Sequence, residues 1–249
     1  MCGIAGALVY DQKAARLDYL LAAVDASAAR GEDSFGVVRW SPSTGFRRHG
    51  RLGQTRDGWL DAVGWPEPDE PTVFLHTSRA EPTTEWIRDK TDRDIPPFVG
   101  EGVVVAHNGI VANDDELARA YRIARVSPID TAVIPALVAR LGVWRAIASL
   151  KGGAALAIFD SASAQLVLGR NFMPLALIWE PGIVCFASEA GFFPGARDPF
   201  PPFQLWELPP HTAIELSARG FRGPFAWGEQ PEPRSENDWL AYPSLKRSR

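Results

Sequence analysis

MCGIAGALVY, residues 1–10, is a short apolar run closed by the polar Asp11, Gln12 and Lys13. A run of this kind, with no polar alternation, predicts a strand over residues 2–10 buried on both faces. Behind the initiator methionine stands Cys2, one of two cysteines in 249 residues. Chain ends fray, which makes a cysteine there a weak packing anchor. The position makes chemical sense if Met1 is removed and Cys2 carries an α-amino group beside its own thiol. An α-amino group titrates at about 7.7–8.0 in reference peptides, close enough to neutrality to act as a general base. Nucleophile and base then belong to one residue, and no histidine is needed. The plainer reading, a small apolar residue opening a strand, stands beside this one.

Working outward, Leu17, Leu20, Leu21, Val24 and Ala28 recur at helical spacing, with Gly31 placed to stop the helix. SFGVVRW and GFRRHG, joined by SPST, predict a hairpin, PTVFLHTS a strand, and GEGVVVAHNGI a second buried strand. In NDDELARAYRI, Asn113 is expected to cap a helix, with Glu116 completing a capping box. A further helix is expected to start near Asp130, kinked at Pro135. The second half reads as hairpins: GGAALAIFD with QLVLGR, LALIWE with IVCFASE, then FQLWELPP and HTAIELS. From about residue 226 Pro, Glu, Ser and Arg dominate. The division expected is a domain over 2–225 and a flexible or docking tail over 226–249. Interspersed helices and antiparallel hairpins favour an α+β layered fold over a doubly wound parallel sheet.

Composition narrows the function. Net charge is −4, so no basic field invites nucleic acid. No apolar run approaches the roughly 20 residues of a membrane helix, and the N-terminus lacks the basic and apolar regions of a signal peptide. A cytoplasmic location is expected. The four histidines lie far apart, and no Cys-x-x-Cys or His-Glu-x-x-His motif occurs, so neither metal nor cofactor is expected. Cys185, in IVCFAS, reads as a core residue, and His107 as structural.

Acyl transfer needs an oxyanion hole. AHNGI offers the side-chain amide of Asn108 and the backbone N–H of Gly109 at the end of a buried strand, although Asn-Gly alone also reads as a simple turn. Arginine is the preferred fork for a carboxylate, and Arg79 follows a strand in LHTSRAEPTTEW. Asp130 could hold an ammonium group or simply cap a helix.

MCGIAG, RGEDSFG (30–36), HTSRAEPTT (76–84), AHNGI (106–110) and IDTAVI (129–134) occur in that order. Together they resemble the class II glutamine amidotransferase domain, an N-terminal-nucleophile hydrolase, with the nearest likeness in the glutaminase half of glucosamine-6-phosphate synthase. The likeness covers roughly residues 1 to 215. It implies a four-layer αββα sandwich of two antiparallel sheets flanked by helices. It further implies Cys2 as nucleophile with its own amine as base, and Asn108 with the Gly109 N–H as oxyanion hole. Arg79 is implied for the glutamine α-carboxylate, Asp130 for the α-ammonium, and Arg30 as support for the N-terminal strand. The sugar-synthase relatives follow the arginine with Trp-Ala-Thr-His. Here Ala80, Glu81, Pro82, Thr83 and Thr84 follow, so Thr83 and Thr84 are the expected substitutes on the carboxylate.

The implied reaction is hydrolysis of the glutamine side-chain amide through a γ-glutamyl thioester. No P-loop and no synthase domain are read after the glutaminase region. The expected partner is therefore a separate ammonia-accepting synthase or amidating enzyme. Two alternatives stand beside this: hydrolysis of another γ-glutamyl or small-molecule amide, and a non-catalytic regulatory module of the same fold.

Overall fold

An apolar run without alternation must be covered on both faces, and every residue of β1 (Gly3–Val9) is buried. The computed structural model describes residues 2–53, 57–81, 87–199, 201–229, 231 and 238–242. After β1 come α1 (Asp18–Ala28), β2 (Ser34–Ser41), β3 (Gly45–Leu52), α2 (Trp59–Val63) and β4 (Thr72–Arg79). β5 (Phe98–Gly100) and β6 (Val103–Gly109) precede α3 (Asp114–Ala120), α4 (Ile134–Leu141) and α5 (Val143–Ser149). The remaining strands are β7 (Ala154–Asp160), β8 (Gln165–Arg170), β9 (Ala176–Glu180), β10 (Ile183–Ala187), β11 (Gln204–Glu207), β12 (Thr212–Ser217) and β13 (Gly220–Ala226).

The strands form two antiparallel sheets, ordered β11-β9-β10-β1-β4-β2-β3 and β13-β12-β8-β7-β6-β5. Side-chain parity explains the layers. From β1, Ile4 and Leu8 meet Val104 and Ala106 of β6 and Ala155 and Ala157 of β7 between the sheets. The alternate residues Ala5, Ala7 and Val9 turn outward and are covered by Tyr19, Leu20, Ala23 and Val24 of α1. The outer face of the second sheet is covered by α4 and α5 through Leu137, Val138, Trp144 and Ile147. The result is the four-layer αββα arrangement, an α+β fold. Gly3 permits one close approach in it: a Cβ there would stand 2.3 Å from the carbonyl oxygen of Ser27, at the end of α1.

Two local expectations change. Asn113 does not cap α3 with its side chain. Its Nδ2 donates to Ser149 O at 2.9 Å and its Oδ1 accepts from Lys151 N at 2.9 Å, so it ties α3 to the segment after α5. Asp130 opens a short 3-10 turn, Asp130–Val133, rather than an α-helix. Pro135 sits in the first turn of α4, where a missing N–H breaks no helical bond, so no kink arises. The short β5 and β13, the latter containing Pro224, were not legible as strands. Beyond β13, Leu240 pairs with Phe221 through reciprocal backbone bonds of 2.9 Å. Tyr242 stacks on Tyr10 with ring centroids 4.5 Å apart and donates its hydroxyl to Ser217 O at 2.7 Å.

Candidate active site

The same parity builds the site. Cys2 continues the inward series of Ile4 and Leu8. Thr77 and Arg79 continue that of Val73 and Leu75 on β4, and Asn108 that of Val104 and Ala106 on β6. β1 starts where the antiparallel β4 ends. The inward residues at those strand ends therefore meet at one end of the sandwich. They line a cavity of about 270 Å³ together with Glu81, Asp130 and Met173. That size falls below the ~300–1,000 Å³ of pockets for drug-sized ligands and suits an amino acid.

Cys2 is partly buried, and its Sγ lies 3.9 Å from the carbonyl oxygen of Ala80. Burial pushes its thiol pKa up, and Asp130 adds to this, while the nearby Arg79 opposes it. A thiol held protonated at neutral pH needs a base to become a nucleophile. Asn108 is 1% exposed, and its Nδ2 has no hydrogen-bond partner. A buried, unused amide donor ordinarily costs about 1–3 kcal/mol, a cost that makes sense where the acceptor arrives only with a ligand. Gly109 next to it has φ +143°, and a Cβ there would stand 1.9 Å from Gly153 O, so only glycine closes this strand end.

Asp130 is not a helix cap. Its Oδ2 accepts from Val111 N at 2.7 Å, and its Oδ1 accepts from the backbone and hydroxyl of Thr131 at 2.6 and 3.0 Å. The Thr131 oxygen in turn stands 2.8 Å from His107 Nδ1. Since that hydroxyl hydrogen is directed at Asp130, His107 donates from Nδ1. Burial lowers the His107 pKa, against the pull of Asp130, and its Nε2 has no partner. Arg79, 4% exposed, donates from Nη1 to Glu81 Oε1 at 3.0 Å. Burial alone would raise the Glu81 pKa. Lys90, Arg79 and the N–H of Ile87 outweigh it and hold the carboxyl below its ordinary range.

Cys2, Arg79, Asn108, Gly109 and Asp130 are thus brought together. Thr83 and Thr84 lie outside the described residues. Arg30 is not in the cavity. It pairs with Glu189, and the neighbouring Ser188 accepts from Ile4 N of β1 at 2.9 Å. Sequence reading passed over Glu81, which stood unassigned two residues after Arg79. It passed over Thr77 too, a buried hydroxyl without a partner in the cavity wall. Inward parity on β4 was the available signal for Thr77. His107, which the sequence reads as structural, lines the cavity. Among the described residues no cluster of three His, Cys, Asp or Glu side chains could hold a metal ion. No helix among them is long and apolar enough to cross a membrane.

A family model described as a glutamine amidotransferase domain matches residues 84–194. The 7-cyano-7-deazaguanine synthase of Saccharolobus solfataricus is 31% identical over 231 residues, 88% of this chain and 49% of that protein. The isomerizing glutamine–fructose-6-phosphate aminotransferase of Escherichia coli K12 is 30% identical over 194 residues, 71% of this chain and 30% of that protein. The chain thus spans about half the length of the deazaguanine synthase it matches. Among solved structures, glutamine phosphoribosylpyrophosphate amidotransferase from B. subtilis superposes with a TM-score of 0.65 at 17% identity, over 89% of this chain and 48% of that one. That likeness is one of fold.

Proposed function

The chain belongs to the class II glutamine amidotransferases, and from that membership we propose that residues 2–225 form a glutaminase unit whose nucleophile is Cys2. Removal of Met1 gives Cys2 an α-amino group that takes the thiol proton. The thiolate attacks the side-chain amide carbon of glutamine. The oxyanion is received by Asn108 Nδ2 and the N–H of Gly109. Arg79 pairs with the α-carboxylate, and Asp130 with the α-ammonium. The tetrahedral adduct collapses as the Cys2 ammonium protonates the leaving nitrogen, releasing ammonia and leaving a γ-glutamyl thioester. Water then hydrolyses the thioester to glutamate and restores the thiol.

The observation that carries this reading is the unused buried amide of Asn108, sharing one amino-acid-sized cavity with the Cys2 thiol, a guanidinium and a carboxylate. The ammonia passes to a synthase acting as acceptor. The names of the relatives that extend beyond the matched half support this, and a 7-cyano-7-deazaguanine synthase activity is the first acceptor to test.

The experiment is peptide mass spectrometry of the native-terminus protein after treatment with 6-diazo-5-oxo-norleucine, a glutamine-shaped diazoketone. A single adduct on Cys2 with Met1 absent is expected. A Cys2 with Met1 removed that stays unmodified at saturating reagent refutes the reading.

A further inference from the structure

Glu81 stands beside the carboxylate-binding arginine, where a second anion should compete with the substrate. Its surroundings suggest a different role. The side chain is 3% exposed, and both carboxylate oxygens are engaged. Oε1 accepts from Arg79 Nη1 at 3.0 Å and from Ile87 N at 2.9 Å. Oε2 meets Lys90 Nζ at 2.5 Å. The backbone is fastened as well: Glu81 N donates to Asp33 Oδ2 at 2.5 Å, and Asp33 N donates to Arg79 O at 2.9 Å. A carboxylate gripped by three donors does not swing in and out of a site. It fixes whatever it holds.

We propose that Glu81 is a positioning residue that aims the Arg79 guanidinium at the substrate α-carboxylate, with Lys90 as the counter-cation that keeps this end of the cavity attractive to an anion. The charge arithmetic supports it. Arg79 and Glu81 alone form a neutral pair with little net pull on a carboxylate. With Lys90, 2.5 Å from Glu81, and Asp33, 3.5 Å from Lys90, the four charges sum to zero, but Asp33 is the most exposed of them (39%) and the most screened by water, so at the buried end the two cations outweigh Glu81. Hydrogen bonds to charged groups weaken steeply with misalignment, so aim matters as much as charge. Ground-state recognition of the carboxylate, not the attack at the distant amide, is what this assembly controls.

The inference rests on Arg79 binding the glutamine carboxylate, and the test separates the two. The enzyme is assayed with glutamine and with 4-aminobutanamide, the same amide without the α-carboxylate. The ratio of kcat/KM for the two measures carboxylate recognition. In Glu81→Ala this ratio should fall about tenfold, the scale of one charged hydrogen-bonding interaction, through KM more than kcat. In Glu81→Gln, whose amide oxygen still accepts from Arg79 and Ile87, most of the ratio should return. Lys90→Met should lower the ratio while the protein stays folded, which keeps the proposal testable if Glu81→Ala does not fold. Equal losses on both substrates, or a lower KM for glutamine in Glu81→Ala, would overturn it. A wild-type protein that turns over both amides equally removes the Arg79 assignment itself, and this inference with it.

Discussion

Asp130 and Val111 are joined beside the cavity wall: Asp130 Oδ2 accepts the Val111 N–H at 2.7 Å. The carboxylate that would bind an ammonium therefore also fastens the chain leaving β6, just past Asn108 and Gly109. Asp130→Ala should both raise KM for glutamine and lower stability by about 2–4 kcal/mol, since two buried N–H groups lose their acceptor. Asp130→Asn should recover part of the stability but little of the affinity, because its charge is gone. Denaturant melts and steady-state kinetics on both variants test this. Matched recovery of both properties would argue against an ammonium contact.

Asn108→Ala removes the proposed oxyanion donor and no scaffold bond, because its Nδ2 is unpartnered. Glutamine turnover should drop about 100- to 1000-fold in kcat with a melting temperature that does not fall, since the amide removed is unsatisfied in the fold. A loss under threefold would take Asn108 out of the role.

His76 is fully buried against Phe35, and its Nδ1 bonds to Gly36 O at 2.9 Å. Burial pushes its pKa down to about 3. The unfolded chain then binds a proton below about pH 6.5 that the folded one refuses, so stability falls as pH drops from there toward 3. Where the unfolded histidine is fully protonated, it contributes a slope of about 1.4 kcal/mol per pH unit. His76→Asn should flatten the acid side of the stability curve by that slope, measured by urea unfolding between pH 4 and 6. An unaltered slope would mean that His76 is protonated in the fold.

Tyr242, among the residues described after β13, is held by aromatic contact with Tyr10. Tyr242→Ala removes the stack on Tyr10 and the bond to Ser217 O. It should cost about 2–4 kcal/mol, as expected for truncating a packed aromatic with a used hydroxyl, with glutaminase activity intact at low temperature. Thermal denaturation of the variant is the check, and an unchanged midpoint would release the tail from any structural duty.

The residues legible in the sequence were those whose chemistry is local. Apolar runs gave the strands β1, β4 and β6, and their polar ends gave Cys2, Arg79 and Asn108. What escaped depends on contacts distant in sequence. Asn113 has the composition of a helix cap, yet its amide is used on Ser149 and Lys151, some 36 residues away. Of the two readings of Asp130, ammonium partner or helix cap, the cap gives way to a bond with Val111. Pro135 reads as a kink only until the helix start is known. Glu81 is an ordinary surface acid in sequence. Its burial follows from Lys90 and Ile87 closing over it, which no periodicity encodes.

The central place of β1 bears on how the protein is made. On the ribosome its residues emerge well before their neighbours in β4 and β10, with Val9 opposite both Thr72 and Ile183. At a synthesis rate of about 5–20 residues per second, roughly 170 residues, or some 10–30 s, separate Val9 of β1 from its second flank at Ile183. During that interval the nascent Cys2 has no assembled pocket. Assembly of the cavity wall around β1 thus waits on the emergence of β10, a delay built into strand order.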